Sequence, residues 1–449
     1  MTVEIFPSHT AEWDVLLQIV DLPPDKSIFH RLLIIGSLTE SKITIPISSI
    51  EEIPSDVYAT ILALESLGVP IEIERSKIIL QGVGTKGFHA PKHKINCGNS
   101  GTTARLMMGL LAGQEFDSIL IGDASLSQRP MKRLADLMND GLGARIETSA
   151  NGAMPVTIHG QKIHGGSITL PVASAQMKSA ILLAGLFADS EVSVAEPSQS
   201  RDHTERMLSA FGKGFTSQSL TNKIAEYEFT TPEEFTYTVP GDFSSAAFLI
   251  GAGIMVGRDI RLMNVGLNPT RSVILDILGL SGLDLKIWNA EPGPWNEPVG
   301  NIDVLSRNTF PEKSFEFASE ASALIIDEIP ILSVLAPFCK GDTIFSNISE
   351  LRKKESDRIH AITSNLLGFG ILVEESADGF TVSGVPGFNP LGDGFDHYGD
   401  HRIAMAFSVM ALRSEVPVTI SEAEIVSVSY PNFYRDLGLI AGKDSIRIS

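Results

Sequence analysis

Residues 96–113 read NCGNSGTTARLMMGLLAG, and the run SILIGD follows at residues 118–123. The first stretch begins with glycines and small polar residues and continues as an apolar run, which predicts a buried helix. The β-branched and apolar residues of SILIGD predict a strand. If Thr102 caps the helix, Arg105 lies at its third position, where the helix dipole disfavours a cation. An anion bound near the helix start would remove that conflict.

The same succession of elements recurs six times along the chain. The strand that follows the apolar helix starts, in turn, at Ile43, Ser118, Val192, Ile260, Thr343 and Val418. The intervals between these starts are 75, 74, 68, 83 and 75 residues. An amphipathic helix that reaches a glycine follows each of these strands, and another strand comes next. So long and regular a period indicates six copies of one supersecondary unit.

The starts of the six apolar helices differ in charge between the two halves of the chain. The first three helices carry a cation near their start, and the last three begin with acidic residues. These residues are Lys26, Arg105, Lys178, Asp242, Asp327, Glu328 and Asp400. A cleft between the two halves would therefore have a cationic wall that binds anions and a set of candidate bases.

The composition restricts the class of protein. With 449 residues the chain is long enough for two or three domains, and 43% hydrophobic residues supply a large core. The net charge of −19 argues against nucleic-acid binding. Two cysteines, Cys97 and Cys339, indicate a reducing compartment, and no signal peptide or membrane span is recognisable. The sequence thus predicts a soluble, cytoplasmic protein without nucleic-acid or membrane partners.

Several charged motifs have an ordinary structural interpretation. In LPPDKSIFHRLLII, Lys26 and Arg31 fit the exposed side of an amphipathic helix, because charged residues are usually solvated. Arg129, in GDASLSQRPMKRL, fits a surface loop, and the charge run of ELRKKESDRIH fits a solvated helix face. For two residues the position in the helix favours a functional role over the structural one. The charge of Lys26 opposes the dipole of its own helix, and Arg402, in DHYGDHRIAMAF, lies at the start of a buried helix.

Taken in order, the motifs carry a family resemblance. The segments are DKSIFHR, GNSGTTAR, QRPMKRL, SAQMKSA, RDHTE, PGDFSSAA, DEIPIL, LRKKESDR, DHRIAMAF and YPNFYRDL. In order and spacing they resemble the enolpyruvyl transferase family, and within it the 3-phosphoshikimate 1-carboxyvinyltransferases, or 5-enolpyruvylshikimate-3-phosphate synthases. The resemblance extends from about residue 22 to residue 437. The forms SAQMKSA and RDHTE are closer to the branch with SAQ than to the branch with SSQ.

The resemblance implies an α/β fold of the α+β type, a two-domain inside-out barrel. Each domain would hold three βαβαββ units around buried helices, in agreement with the six copies counted above. The first domain would span residues 23–240, mainly on the shikimate 3-phosphate side. The second would combine residues 1–22 with 241–449. Substrates would bind in a cleft between the domains, which would close by a hinge motion.

The family transfers the enolpyruvyl group of phosphoenolpyruvate to the 5-hydroxyl of shikimate 3-phosphate. The reaction passes through a tetrahedral intermediate and releases phosphate, and it belongs to the shikimate pathway, which leads to chorismate and the aromatic amino acids. By this resemblance the partners are two small-molecule substrates, no cofactor or metal is required, and the protein is expected to be a monomer.

The resemblance also implies site residues, carried over motif by motif. The catalytic set would be Asp327 as the base, Glu355 as a second acid/base group and Lys26 as an acid. The shikimate 3-phosphate side would comprise Lys26, Ser27, Arg31, Ser174, Ala175, Gln176, Ser200, Arg201, Asp327 and Lys354. The phosphoenolpyruvate side would comprise Lys26, Asn99, Gly101, Arg105, Arg129, Gln176, Arg358 and Arg402.

The chain departs from the family pattern in three places. Pro24 stands where the family usually has glycine. Val428 and Ser429 precede the Tyr430-Pro431 pair, where many members have a lysine. Residues 281–317 fit the repeat poorly and are either an insertion or a set of drifted strands.

Two alternative functions remain open from the sequence. One is the sister enolpyruvyl transferase that acts on UDP-N-acetylglucosamine, which typically has a reactive cysteine in a cleft loop. The corresponding loop here, GDASLSQRPM, has no cysteine, and Cys97 is expected to be a small core residue. The other is a non-catalytic protein that only binds a phosphorylated ligand. Asp327, Glu355 and Lys26 argue against it.

Overall fold

The computed structural model describes residues 1–8, 16–19, 22–306, 310–316 and 319–449. The strands are β1 Val3–Ile5, β2 Leu17–Ile19, β3 Lys42–Pro46, β4 Ile71–Glu74, β5 Lys77–Gln81, β6 Ile95–Asn96, β7 Asp117–Ile121, β8 Arg145–Thr148, β9 Val156–His159, β10 Gly166–Thr169, β11 Val192–Ala195, β12 Gly212–Gln218, β13 Thr221–Phe229, β14 Glu234–Thr236, β15 Ile260–Gly266, β16 Asp284–Pro292, β17 Pro298–Leu305, β18 Gly341–Phe345, β19 Val373–Glu375, β20 Phe380–Gly384, β21 Val418–Ile420 and β22 Ile446–Ile448. The helices are α1 Lys26–Ser37, α2 Ser55–Ser66, α3 Gly101–Ala112, α4 Lys132–Leu142, α5 Ala175–Gly185, α6 His203–Phe211, α7 Phe243–Val256, α8 Val273–Leu280, α9 Ile329–Leu335, α10 Arg358–Gly368, α11 His401–Ala411 and α12 Phe433–Ala441.

The chain forms two compact units. The N-terminal unit contains Pro24–Val239 together with Pro292–Glu297. The C-terminal unit contains Met1–Pro23, Pro240–Glu291 and Pro298–Ser449. The segment Pro292–Glu297 therefore belongs to the N-terminal unit, whereas the sequence assigned it to the second domain.

Aromatic packing explains the position of this segment. The Trp295 ring lies parallel to the ring of Tyr237 and packs against Phe211 and Phe235, with centroids 4.9 and 4.7 Å away. Such ring contacts stabilise the packing beyond the contribution of the buried apolar area. These partners lie far earlier in the chain, so that no local pattern in the sequence indicates the contact.

The N-terminal unit contains three sheets of the same topology. Their strand orders are β14-β3-β5-β4, β6-β7-β9-β8 and β10-β11-β13-β12. In each sheet the first pair is parallel and the other pairs are antiparallel. The sequence β6-α3-β7-α4-β8-β9 is one βαβαββ unit, and β10 to β13 form another. The first sheet takes its parallel strand, β14, from the end of the unit.

The C-terminal unit contains three further sheets, one of four strands and two of three. Their orders are β16-β17-β15-β2, β18-β20-β19 and β21-β1-β22. In the first, β2 and β15 are parallel, and β17 is antiparallel to β15. In the third, β1 lies between β21 and β22 and is antiparallel to both. The first strand of the chain thus completes the last repeat.

The segment 281–317 contains drifted strands of the repeat. Strands β16 and β17 occupy the places that β12 and β13 occupy in the N-terminal unit. For residues 284–305 the alternative of an insertion is therefore wrong. Residues 307–309 and 317 lie outside the described residues.

The six apolar helices form the interiors of the two units. All residues of α7 are buried, whereas β5 alternates between buried and half-buried positions, as expected for a sheet with one face on the core. Small residues allow the helices to approach closely: a methyl group added to Gly109 in α3 would lie 2.2 Å from the carbonyl oxygen of Ala180 in α5. Over the described ranges, no helix has the length and apolar character needed to cross a membrane.

Candidate active site

The start of α1 carries the first predicted cation of the N-terminal unit. Asp25 caps the helix, and its Oδ1 accepts a hydrogen bond from the backbone N–H of Ile28 at 2.9 Å. Lys26 is the first helical residue, and its Nζ lies 2.9 Å from Oδ2 of Asp56 at the start of α2. The Lys26 side chain is only 15% exposed. The interpretation as an exposed surface lysine is therefore wrong, and Asp56 holds the ammonium group close to the N-terminal ends of α1 and α2.

Arg31 is buried and joins three helices of the N-terminal unit. Its Nε donates to Thr204 Oγ1 of α6 at 2.7 Å, its Nη2 to Ser179 Oγ of α5 at 2.9 Å, and its Nη1 to the carbonyl oxygen of Ser27 at 2.9 Å. Burial lowers the pKa of Arg31 to about 10, against the opposing effect of Glu205. At neutral pH the guanidinium group is therefore still a cation, placed next to the predicted residue Ser27.

The cap of α3 is Ser100, and the expectation that Thr102 caps this helix is wrong. Ser100 Oγ accepts a hydrogen bond from a backbone N–H of the first turn at 3.1 Å, and the helix begins at Gly101. The hydroxyl of Thr102 instead accepts a hydrogen bond from Gln176 Nε2 at 2.9 Å. Arg105 is consequently the fifth helical residue, and its side chain points back toward the helix start.

Two guanidinium groups converge on Gly101. Arg105 Nη1 donates to Gln176 Oε1 at 2.8 Å, and Arg129 Nη2 donates to Asn99 Oδ1. A methyl group built on Gly101 would lie 2.8 Å from Arg105 Nη1 and 3.2 Å from Arg129 Nη1. Two cations that meet at a helix start with free backbone N–H groups form an arrangement suited to a carboxylate or phosphate. Four residues predicted for the phosphoenolpyruvate side thus lie together with Gln176.

The start of α5 carries the motif SAQ. Ser174 is the N-cap, and its Oγ accepts a hydrogen bond from the backbone N–H of Met177 at 3.4 Å. Ala175 and Gln176 are the first two helical residues. The side chain of Gln176 reaches α3 through its contacts with Thr102 and Arg105. The beginnings of α3 and α5 are thereby joined by direct hydrogen bonds.

Lys178 does not contribute to a cationic wall, in contrast to the expectation. Its side chain is 1% exposed, and Nζ lies 2.6 Å from Glu196 Oε1 and 2.6 Å from Glu205 Oε1.

Ser200 is also buried, and its hydroxyl donates to Glu196 Oε2 at 2.5 Å. The neighbouring Arg201 lies close enough to Arg31 to lower the pKa of that guanidinium group. Two acids thus neutralise Lys178, whereas Arg201 adds positive charge near Arg31.

Arg358 is the centre of the predicted site in the C-terminal unit. This first residue of α10 is 1% exposed, and three carboxylates surround its guanidinium group. Nε lies 2.7 Å from Asp400 Oδ2, Nη2 lies 2.6 Å from Glu355 Oε2, and Nη1 lies 3.2 Å from Asp327 Oδ1. Burial lowers the pKa of Arg358, but the attraction of Asp400, Glu355 and Asp327 outweighs it and raises the pKa well above its usual value. The solvated-face interpretation of this charge run is therefore wrong for Arg358.

Asp327 is a partly open carboxylate among three cations. Oδ1 lies 3.2 Å from Arg358 Nη1 and 3.5 Å from Lys354 Nζ, and Oδ2 lies 3.9 Å from Arg402 Nη2. The backbone oxygen of Asp327 accepts a hydrogen bond from Arg402 Nη1 at 2.8 Å. Its side chain is 13% exposed. The arrangement holds a carboxylate where it can reach a ligand and accept a proton.

Asp400 belongs to this cluster and is missing from the predicted site. It is fully buried, caps α11 by accepting the backbone N–H of Arg402 at 2.9 Å, and holds Nε and Nη2 of Arg358 at 2.7 and 3.3 Å. The sequence marked Asp400 only as an acid at a helix start. Its pairing with Arg358 joins two distant motifs, LRKKESDR and DHRIAMAF, and no local pattern reveals it.

Each unit contains part of the predicted set of site residues. The N-terminal unit contains Lys26, Ser27, Arg31, Asn99, Gly101, Arg105, Arg129, Ser174, Ala175, Gln176, Ser200 and Arg201, and the C-terminal unit contains Asp327, Lys354, Glu355, Arg358 and Arg402. Among the described residues, no group of three or more His, Cys, Asp or Glu side chains could hold a metal ion.

Cys97 is a core residue, as predicted. It is fully buried, and burial raises the pKa of its thiol to about 12. A thiol with so high a pKa is a poor nucleophile at neutral pH. A buried thiol of this kind does not fit the reactive cleft-loop cysteine that the UDP-N-acetylglucosamine alternative would need.

Comparison with known proteins agrees with the motifs. A family model described as EPSP synthase (3-phosphoshikimate 1-carboxyvinyltransferase) matches residues 14–437. A 3-phosphoshikimate 1-carboxyvinyltransferase from Alkalilimnicola ehrlichii is 43% identical over 416 residues, which cover 92% of this chain and 90% of the relative. Another from Petrotoga mobilis is 42% identical over 440 residues, covering 96% and 98%.

Solved structures show the same fold. An EPSP synthase from Acinetobacter baumannii, solved at 2.37 Å, superposes with a TM-score of 0.82 at 37% sequence identity and covers 100% of this chain and 99% of its own. The two-domain inside-out α/β fold expected from the resemblance is therefore confirmed. The chain belongs to the EPSP synthase family.

Proposed function

We propose that this chain is a transferase that moves the enolpyruvyl group of phosphoenolpyruvate to the 5-hydroxyl of shikimate 3-phosphate and releases phosphate. The family match supports the reaction. The observation that carries the residue assignment is the cluster in which Asp327 lies among Lys354, Arg358 and Arg402, beside Glu355. The product would continue through the shikimate pathway to chorismate and the aromatic amino acids.

In this proposal the shikimate 3-phosphate side is built from helix starts of the N-terminal unit. Ser174 and Ala175 open α5 and offer a hydroxyl and backbone N–H groups to a phosphate. Arg31, which contacts the backbone oxygen of Ser27, and Arg201 add positive charge, and Ser200 is assigned to this side from the family motif. From the C-terminal unit, Asp327 and Lys354 would contact the shikimate ring. Phosphate recognition by charged donors of this kind is strong because each hydrogen bond is charge-assisted.

The phosphoenolpyruvate side in this proposal uses four arginines. Arg105 and Arg129, which converge on Gly101, would bind the substrate together with Asn99 and Gln176. Arg358 and Arg402 would add two cations from the C-terminal unit. Lys26 would contact both substrates, because an ammonium group can donate three hydrogen bonds. The carboxylate and phosphate of phosphoenolpyruvate carry several negative charges, which this number of cations matches.

The first chemical step is an addition. Asp327 takes the proton of the 5-hydroxyl while the oxygen forms a bond to C2 of phosphoenolpyruvate. C3, the methylene carbon, takes a proton from the ammonium group of Lys26, and the product is a tetrahedral intermediate with a methyl group. Proton transfer to a positioned base of this kind contributes about 10²- to 10⁴-fold to the rate.

The second step is an elimination. Glu355 removes a proton from the methyl group, the C–C double bond forms again, and the bond from C2 to the phosphate oxygen breaks. Phosphate leaves as the products form. Glu355 suits this role because it contacts Arg358, which also contacts Asp327. The two acid/base groups are thus held at fixed positions on one guanidinium group.

The proposal requires both units to act on one pair of substrates. Lys26, Arg105 and Gln176 are in the N-terminal unit, whereas Asp327 and Glu355 are in the C-terminal unit. We therefore propose the two domains and the substrate cleft predicted from the sequence, with a hinge near residues 22–23 and 240–241 and closure that excludes water. Small-angle scattering should show a smaller radius of gyration when both substrates are present.

The decisive experiment measures inorganic phosphate released by the purified protein. Release that needs both phosphoenolpyruvate and shikimate 3-phosphate supports the proposal. Binding of shikimate 3-phosphate without release indicates the non-catalytic alternative, and release with UDP-N-acetylglucosamine instead indicates the sister transferase. The expected monomer, the absence of a cofactor and the cytoplasmic location stay predictions, which gel filtration, assay without added metal and cell fractionation can test.

A further inference from the structure

Arg271 is a buried cation that the predicted site does not include. It lies just before α8 and is 1% exposed. Its Nη2 donates to Ser244 Oγ of α7 at 2.7 Å, and the same nitrogen lies 3.8 Å from Glu328 Oε1 and 3.9 Å from Asp242 Oδ1. Asp242 caps α7, and Glu328 precedes the first residue of α9. Arg271 therefore lies where the starts of two buried helices meet.

Glu328 depends on this contact. Its carboxylate is almost fully buried, and Oε1 accepts a hydrogen bond from Ser244 Oγ at 2.5 Å. Within the described residues, Oε2 has no hydrogen-bond partner. A buried carboxylate with so few hydrogen bonds needs a nearby cation, because burial of an uncompensated charge is strongly unfavourable. Arg271 supplies that charge.

The contacts of Arg271 match those of Arg358 in the next repeat. Each arginine stands at the beginning of the second helix of its repeat, α8 or α10. Arg271 contacts Ser244 at the start of α7, in its own repeat, and Glu328 at the start of α9, in the next repeat. Arg358 likewise contacts Asp327 at the start of α9, in its own repeat, and Asp400 at the start of α11, in the next repeat. For Arg271 the acid of the following repeat is Glu328, the chain neighbour of Asp327.

We propose that Arg271 is a positioning residue for the reaction, which acts on Asp327 through Glu328. This inference rests on the role of Asp327 under the proposed function. Two sets of contacts fix Asp327: its own carboxylate and backbone oxygen bind Arg358 and Arg402, and its neighbour Glu328 is fixed to α7 by Ser244 and Arg271.

Loss of Arg271 removes the second of these sets. The Glu328 carboxylate then lies buried without its cation, and movement of Glu328 toward solvent relieves this unfavourable burial. Asp327, which is bonded to it, moves as well. A displacement of about 1 Å in a reacting group lowers a rate by about a hundredfold. The expected effect is therefore on turnover, although Arg271 does not contact the proposed substrates.

The test uses four variants in the full-length protein. Arg271→Met removes the charge at similar length, Arg271→Lys keeps it, Glu328→Gln removes the opposite charge at the same shape, and the double variant combines Arg271→Met with Glu328→Gln. We expect Arg271→Met to lower kcat by 10- to 100-fold per folded molecule, with less than a threefold change in KM for either substrate. Arg271→Lys should recover most of the rate, and so should the double variant, in which Glu328 no longer carries a buried charge that needs Arg271.

Arg261→Met is the matched control. Arg261, on β15 of the same unit, binds Asp303 through two hydrogen bonds of 2.7 and 2.6 Å, and its loss should lower the melting temperature without changing kcat. A purely structural role predicts that Arg271→Met behaves like this control. A normal kcat in Arg271→Met, or a double variant as slow as the single one, would overturn the inference. If the unmodified protein releases no phosphate with both substrates, the proposed function fails instead.

Discussion

The substitution Gly101→Ala tests how closely the two arginines approach the start of α3. The added methyl group would lie 2.8 Å from Arg105 Nη1, and ordinary contact begins at about 3.4 Å, so that the guanidinium group has to move by about 0.6 Å. The hydrogen bond from Arg105 to Gln176, now 2.8 Å long, would then be lost or misaligned. Arg129 Nη1, at 3.2 Å from the methyl group, would be displaced less.

The size of the effect follows from the charge of the donor. A hydrogen bond to a charged group contributes about 1.5–3 kcal/mol, and about 1.4 kcal/mol corresponds to a tenfold change in affinity. If Arg105 and Arg129 bind phosphoenolpyruvate, KM for phosphoenolpyruvate should rise by about 10- to 100-fold. The KM for shikimate 3-phosphate should change much less. The assay is steady-state phosphate release, with one substrate varied and the other saturating.

Gly279→Ala serves as the control for this substitution. Gly279 lies in α8 with no atom within 4 Å of an added methyl group. Alanine there should leave both KM values unchanged and raise helix stability by about 0.5–1 kcal/mol. A KM for phosphoenolpyruvate within twofold of normal in Gly101→Ala would refute the convergence of the two arginines on the substrate. An equal rise in both KM values would indicate a general distortion of α3.

Four further predictions concern single groups. Arg129→Ala should raise KM for phosphoenolpyruvate more than KM for shikimate 3-phosphate in the same phosphate assay; an equal rise would indicate a structural role. Asp327→Asn should lower kcat by about 10²- to 10⁴-fold with similar KM values, because the base is lost and the shape is kept. Unchanged turnover would remove Asp327 from that role. Lys178→Met should lower the free energy of unfolding by about 3–5 kcal/mol in urea titrations, since two buried carboxylates lose their cation. A loss below 1 kcal/mol would contradict this. Burial raises the thiol pKa of Cys97 and Cys339 to about 12, so that at pH 8 only about one thiol in ten thousand is ionised. Neither thiol should react with Ellman's reagent at pH 8 until the protein is unfolded, and rapid reaction of the native protein would show that the thiols are accessible.

The repeat architecture was predictable because its determinants are local. The six strands expected at Ile43 and its five counterparts are present as β3, β7, β11, β15, β18 and β21, and each apolar run forms a helix. Alternation and helical periodicity are properties of short windows, so that one sequence reveals them. The resemblance of the motifs then identified the fold.

The contacts within the candidate site were less predictable, because their partners are distant in the sequence. Lys178 looked like a cation at an open helix start, but Glu196 and Glu205 neutralise it from the next loop and helix. Asp400 was not included because its partner, Arg358, lies in another motif. The cap of α3 was mispredicted for a different reason. Ser100 and Thr102 are both residue types that cap helices well, and packing decides between them.

The position of β1 has a consequence for the order of folding during synthesis. Val3 pairs with Ile420 on one side and with Ile448 on the other, so that β1 has no partner strand until almost the whole chain has left the ribosome. At about 5–20 residues per second, that delay is roughly 20–90 s. The sheets of the N-terminal unit are complete once β14 has emerged, near the middle of the chain. Translation therefore favours folding of the N-terminal unit first, while β1 stays without partner strands until the end of synthesis.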